Sequence, residues 1–152
     1  GIVSWFVTSS KDRVRNRAAL VEALFSVLAA SSVSLLIRCI WHRPRPFTRG
    51  RTARITHGDN ASFPSNHTLN AVAAAFSLIL SRQSGGKRLL GWALLQGISR
   101  VFAGVHYTSD IIGSAVLAAG CAVRVHSSQR LRKLSRQLAY VCTEAEDILR
   151  RK

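Results

Sequence analysis

Three short clusters hold most of the residues that could do chemistry. Arg38 is followed, after six residues, by Arg45-Pro46; Pro64-Ser65-Asn66-His67 is an unbroken run; and Ser99-Arg100 leads to His106 and then Asp110. Arginine forks match phosphate oxygens bidentately and stay charged at any physiological pH, so Arg38, Arg45 and Arg100 could supply most of the countercharge for one. Pro-Ser-Asn before an apolar run reads as a loop closing onto a helix, whose first backbone N–H groups and dipole make an anion site. His106 and Asp110 stand four apart, and a helix beginning that early would put them on one face. The carboxylate could then hold one imidazole nitrogen and leave the other as a nucleophile. His67, from a different helix, is placed to be the general acid. Together these are the parts of a phosphoryl-transfer site.

Taken singly, each cluster has an ordinary reading. Arg45-Pro46 fits any loop, the Pro-Ser-Asn-His run fits a helix cap, and a His–Asp pair at this spacing fits a helix surface. Arg100 is harder to set aside, because it interrupts an apolar helix, where a charge is costly and usually functional. Joint placement favours chemistry: every cluster lies where an apolar segment meets the same side.

Those segments are the elements that must position the clusters. Residues 18–37 carry a single charge, Glu22, and as a helix would span about 30 Å, the thickness of a bilayer's hydrocarbon core. Residues 68–80, 89–105 (interrupted by Gln96 and Arg100) and 111–123 are further apolar stretches, and residues 1–8 look like the end of another. The pattern predicts an all-α fold, a multi-pass transmembrane bundle of about four helices with an N-terminal stub and an amphipathic C-terminal helix. Residues 1–126 would form the membrane-embedded domain and 127–152 a basic cytoplasmic tail. In that tail Leu131, Leu134, Leu138, Val141, Ala145 and Ile148 recur at alternating three- and four-residue spacing. They make one apolar stripe suited to an anionic inner leaflet.

Composition narrows the classes. With 22 Lys and Arg against 7 Asp and Glu the net charge is +15, yet 47% of the 152 residues are apolar, which excludes global disorder. A nucleic-acid binder would present its charge as a stripe on one face, whereas here it sits in the connections between apolar segments. Cys39, Cys121 and Cys142 are odd in number and widely spaced, against a disulfide framework or a zinc site. The chain opens on Gly1 and has no Met, so an earlier segment is expected. Assigning the connections alternately to two sides gives residues 9–17, 82–88 and the tail from Arg124 together 15 Lys and Arg, against 6 for residues 38–66. Loops rich in Lys and Arg stay cytoplasmic, so the three clusters should face outward. Six arginines on the side that should be poor in them suggest that they bind something.

At these residues the chain closely resembles the type 2 phosphatidic acid phosphatase superfamily. The family signature has the form KxxxxxxRP, PSGH and SRxxxxxHxxxD; the present motifs read RCIWHRPRP, PSNH and SRVFAGVHYTSD. The run THGDNASFPSNHT also looks like the DNSFPSDH region of the branch that removes phosphate from undecaprenyl diphosphate. The resemblance implies a mostly helical, metal-independent membrane phosphatase, without a cofactor, working through a phosphohistidine. On that analogy His106 attacks phosphorus, Asp110 orients it and His67 protonates the leaving group. Arg38, Arg45, Ser65 and Arg100, with N–H groups near Asn66, would hold the phosphoryl oxygens. Expected partners are a lipid phosphate or diphosphate and membrane lipids, not nucleic acid, at a bacterial inner membrane with the site outward. Alternatives are a phosphatase for phosphatidylglycerophosphate, phosphatidate or another phosphoester, and a non-catalytic membrane protein that binds anionic lipid heads. Two positions depart from the pattern. Arg38 replaces Lys, changing reach and geometry, and Asn66 replaces Gly, adding a side chain at the pocket.

Overall fold

A computed structural model describes residues 10–50, 52–55, 58 and 60–150 of the chain. Among these there is no strand. Five helices follow in order: α1 (Ser10–Ile40), α2 (Asn66–Leu80), α3 (Gly85–Phe102), α4 (Thr108–Ser127) and α5 (Gln129–Arg150), with one 3-10 turn at Pro46–Arg49. The stub expected at residues 1–8 lies outside the described residues.

Each apolar stretch among the described residues becomes a helix, with boundaries set by local chemistry. α1 extends beyond residues 18–37 at both ends, with Asp12 in its first turn and Arg38 in its last, each matched to the local sign of the helix dipole. It stops short of Pro44 and Pro46, which cannot continue a helix. α2 begins at Asn66 behind an extended Ser65, where the Pro-Ser-Asn run places it. α3 ends at a turn in which Gly104 takes φ 74°, and a Cβ there would stand 2.5 Å from the Thr52 carbonyl oxygen. Only glycine fits both conditions.

α2 is the central helix of the bundle and touches α1, α3 and α4. The core around it is built mostly from small residues, Ala30, Ala73, Ala93 and Ala118, together with Leu69 and Val72. At Gly97 of α3 an added Cβ would meet Ile111 at 2.7 Å, so α3 and α4 approach through the missing side chain. Large apolar side chains point the other way. Leu24, Leu28, Leu35 and Leu36 on α1, Trp92, Leu95 and Phe102 on α3, and Ile112 and Val116 on α4 are all exposed. Small residues between helices and large ones outside is the distribution expected where the surroundings are as apolar as the side chains. Two helices, α1 and α4, are long and apolar enough to cross a membrane. α2 is shorter, at 15 residues, and α3 carries Lys87, Arg88, Gln96 and Arg100, so two of the four expected spans meet that test.

α5 runs antiparallel along the first turns of α1. Arg13 donates to both carboxylate oxygens of Asp147 at 2.8 and 3.1 Å, while the buried Arg17 bonds Thr143 at 3.0 Å and pairs with Glu146. The face of α5 turned inward is small and polar: Ser135, Ala139 and Thr143. Leu134, Leu138, Val141 and Ile148 of the sequence-defined stripe are exposed on it.

Candidate active site

One backbone bond closes the segment between α1 and α2 on itself, and another ties it to the turn between α3 and α4. The Ser62 N–H donates to the Arg43 carbonyl at 2.8 Å, and the Arg54 N–H to the Ala103 carbonyl at 3.0 Å. The rings of Trp41 and Phe63 lie 5.6 Å apart beside it. Arg45, 2% exposed, fastens the two halves. Its Nε donates to the Asn60 carbonyl at 2.9 Å, Nη2 to Asn60 Oδ1 at 2.5 Å, and Nη1 to the Val105 carbonyl at 2.9 Å. The same Nη1 lies 3.5 Å from His106 Nε2.

Asp110 is fully buried and surrounded by donors. Arg43 Nη1 reaches Oδ1 at 2.6 Å; the Ser62 hydroxyl and the Tyr107 N–H reach Oδ2 at 2.5 and 2.9 Å. Arg43 also lies over the Tyr107 ring, 4.6 Å from its centroid. His106, 3% exposed, turns Nδ1 toward Asp110 Oδ2 at 3.7 Å. That is an ion-pair distance, longer than a hydrogen bond, as catalytic contacts commonly are before substrate draws them together. The four-residue spacing works differently from a shared helix face. α4 opens at Thr108, so His106 precedes the helix, and Asp110 folds back from its first turn across the cap.

The remaining residues join from α1 and α2. Arg38 Nη2 donates to the Pro64 carbonyl at 2.7 Å, and the Ser34 hydroxyl to Asn66 Oδ1 at 2.6 Å. The start of α2 is locked from below. The Ser65 N–H donates to Ser114 Oγ at 2.8 Å, and that hydroxyl donates to the Asp110 carbonyl at 2.6 Å. Ser65 Oγ lies 3.3 Å from Thr68 Oγ1. This N–H, expected to be open to an anion, is therefore engaged inside the bundle. His67 is exposed in the first turn of α2. Arg100, in the last turn of α3, is partly buried, and its guanidinium makes no hydrogen bond or ion pair among the described residues.

Arg45, His106 and Asp110 thus form one cluster, joined by a 3.5 Å polar contact and a 3.7 Å ion-pair contact. Ser65 is tied to it through Ser114, while Arg38 and Asn66 bond the Pro64 carbonyl and Ser34 beside it. Sequence reasoning missed Arg43, Ser62 and Ser114. The only hint was a second arginine in the Arg-Pro-Arg-Pro run, identical in type to its neighbour. Among the described residues no three His, Cys, Asp or Glu side chains come together as a metal-ligand set, and the cationic groups in reach are guanidinium.

A family model described as the PAP2 superfamily matches residues 19–133. The chain is similar to undecaprenyl-diphosphatase BcrC of Bacillus subtilis (strain 168), 33% identical over 105 residues, covering 68% of this chain and 54% of that protein. It is also similar to the bacitracin transport permease protein BcrC of Bacillus licheniformis, 28% identical over 118 residues, 76% of this chain and 56% of the relative. A decaprenylphosphoryl-5-phosphoribose phosphatase of Mycobacterium tuberculosis (strain ATCC 25618 / H37Rv) is 29% identical over 138 residues, 86% of this chain and 77% of its own. The chain spans just over half the length of the two BcrC proteins.

Proposed function

The chain belongs to the PAP2 superfamily, and from that premise we propose that it is a membrane phosphatase that removes the terminal phosphate of a polyprenyl diphosphate. One observation carries the chemistry: a buried His106–Asp110 pair whose Nε2 faces the Arg45 guanidinium, where an incoming phosphate would be held. His106 Nε2 attacks the terminal phosphorus. An N–P bond forms, the P–O bond to the departing lipid phosphate breaks, and His67 supplies the proton to its oxygen. Water then attacks phosphorus, giving its proton to His67, and inorganic phosphate leaves as the N–P bond breaks. Asp110 holds the imidazole by Nδ1 throughout. Arg38, Arg45, Asn66 and Arg100 hold the phosphoryl oxygens, and Ser65 joins them by exchanging Thr68 for one.

Similarity to the undecaprenyl-diphosphatase supports the diphosphate substrate. The longer alignment with the phosphoribose phosphatase supports a second reading, a phosphomonoester on a lipid-linked head. Phosphate release by the full-length protein from undecaprenyl diphosphate, phosphatidate, phosphatidylglycerophosphate and a soluble monoester separates them. The diphosphate should be the fastest substrate, and excess chelator should leave the rate unchanged, because guanidinium groups supply the countercharge. Release from none of them, or strict dependence on magnesium, would sink the reading.

The proposed setting is a multi-pass protein of a bacterial inner membrane, with the exposed aliphatics of α1, α3 and α4 in lipid and the site facing outward. The asymmetry of 15 against 6 basic residues supports that orientation. In a chain whose Cys39, Cys121 and Cys142 are replaced by Ser, Thr52→Cys should react with an impermeant thiol reagent on intact cells. Ser84→Cys should react only after the membrane is opened. The reverse pattern would invert the chain and remove the outward site.

A further inference from the structure

At the far end of the helices from His106, a cavity of about 400 Å³ opens between α1, the end of α2, the end of α4 and the start of α5. Glu22 and His126 lie on its wall, each sixteen residues along its helix from Arg38 and Asp110 respectively. At the helical rise this places the cavity roughly 24 Å from the catalytic cluster, so it is a separate site.

Its wall is strongly basic. Arg15, Arg132 and Arg136 face one carboxylate, Glu22, which is already bonded to His126. Arg15 pairs with Asp12 at 2.9 Å, whereas Arg132 and Arg136 have no such partner among the described residues. Two donors belonging to wall residues, Ser81 Oγ and Arg132 Nε, are buried and have no hydrogen-bond partner among the described residues. Native structures leave few buried donors unsatisfied, and two on residues of one arginine-lined cavity point to an acceptor that a small movement of those side chains would admit. Val14, Ala18 and Ala19 make the rest of the wall apolar.

We infer that this cavity binds a phosphate group, with Ser81 and Arg132 donating to its oxygens and Arg136 and Arg15 closing around its charge. Guanidinium forks suit phosphate geometry, and basic pockets between helices at the cytoplasmic side of a membrane are where anionic headgroups bind. The phosphate could belong to an anionic phospholipid or be free in solution. Binding here is independent of what His106 does.

Native mass spectrometry of the full chain in detergent tests it, with dioleoylphosphatidylglycerol, dioleoylphosphatidylcholine and inorganic phosphate as separate additions. If the phosphate is a headgroup, phosphatidylglycerol is retained one per chain and phosphatidylcholine is not. If it is free, inorganic phosphate is retained and neither lipid is. In either case Arg132→Gln should weaken retention about tenfold, the weight of one charge-assisted hydrogen bond. Ser81→Ala should weaken it less, and His106→Ala not at all. Arg132→Lys keeps the charge without the planar fork and should fall between Arg132→Gln and the parent, which separates lost recognition from lost folding. Retention of neither ligand, equal retention of both lipids, or retention abolished by His106→Ala and untouched by Arg132→Gln would overturn the inference.

Discussion

His106→Ala is expected to lower phosphate release by on the order of 10⁶-fold, the scale seen when a covalent nucleophile is deleted, while the chain should keep its helix content and its elution volume in detergent. No neighbour can take its place. Arg43 and Arg45 are cations, and the Asp110 carboxylate is enclosed by the Ser62 hydroxyl, the Tyr107 N–H and Arg43. The covalent step gives a second readout. Rapid acid-free quenching of the parent with labelled substrate should trap a protein-bound phosphate that is stable to alkali and lost in acid, as N–P bonds are. The variant should trap none. Near-native turnover by His106→Ala, or an alkali-stable label on it, would remove this histidine from the chemistry.

Arg43→Ala should destabilise the protein by about 2–3 kcal/mol, because it strips the charge partner from a carboxylate that has no water to turn to. Asp110 has no exposed surface, while the Arg43 side chain keeps 27% of its own, which brings the loss to or just below the roughly 3–5 kcal/mol lost when a fully buried pair is broken. Thermal unfolding in detergent measures it. Activity should fall as well, since the same arginine fixes the carboxylate that faces His106. A double variant, Arg43→Ala with Asp110→Asn, should recover most of the stability and none of the activity. Additive losses in that cycle would mean the two side chains do not act as a pair.

How this site could be read in the sequence depends on what each residue does. Arg38, Arg45, His106 and Asp110 were legible because phosphate chemistry calls for those residue types near helix ends, and the apolar stretches showed where the ends lie. Arg43, Ser62 and Ser114 were not, because they act on other protein groups and no pattern marks a hydroxyl that bonds a carboxylate 48 residues away. The helices were legible as runs of apolar residues. Their extent was not: the basic residues 11–17 are helical because α5 supplies Asp147 and Glu146 to meet them. The same pairing decides how α5 lies. Periodicity located its apolar stripe correctly, but periodicity cannot say which face turns inward, and here charge and small side chains hold the inner one.

The alanine-rich centre of the bundle bears on what kind of lipid this protein could tell from another. Among the described residues the helices meet closely at Ala30, Ala73, Ala93, Ala118 and Gly97, with no room between them for a long hydrocarbon. In the proposed function an isoprenoid tail would lie along the outside, among exposed residues such as Leu35, Leu36 and Phe102. A surface of that kind has no far wall against which length could be measured. Under the proposed function, discrimination then falls to the head of the molecule, and carriers with longer or shorter isoprenoid chains should be turned over alike.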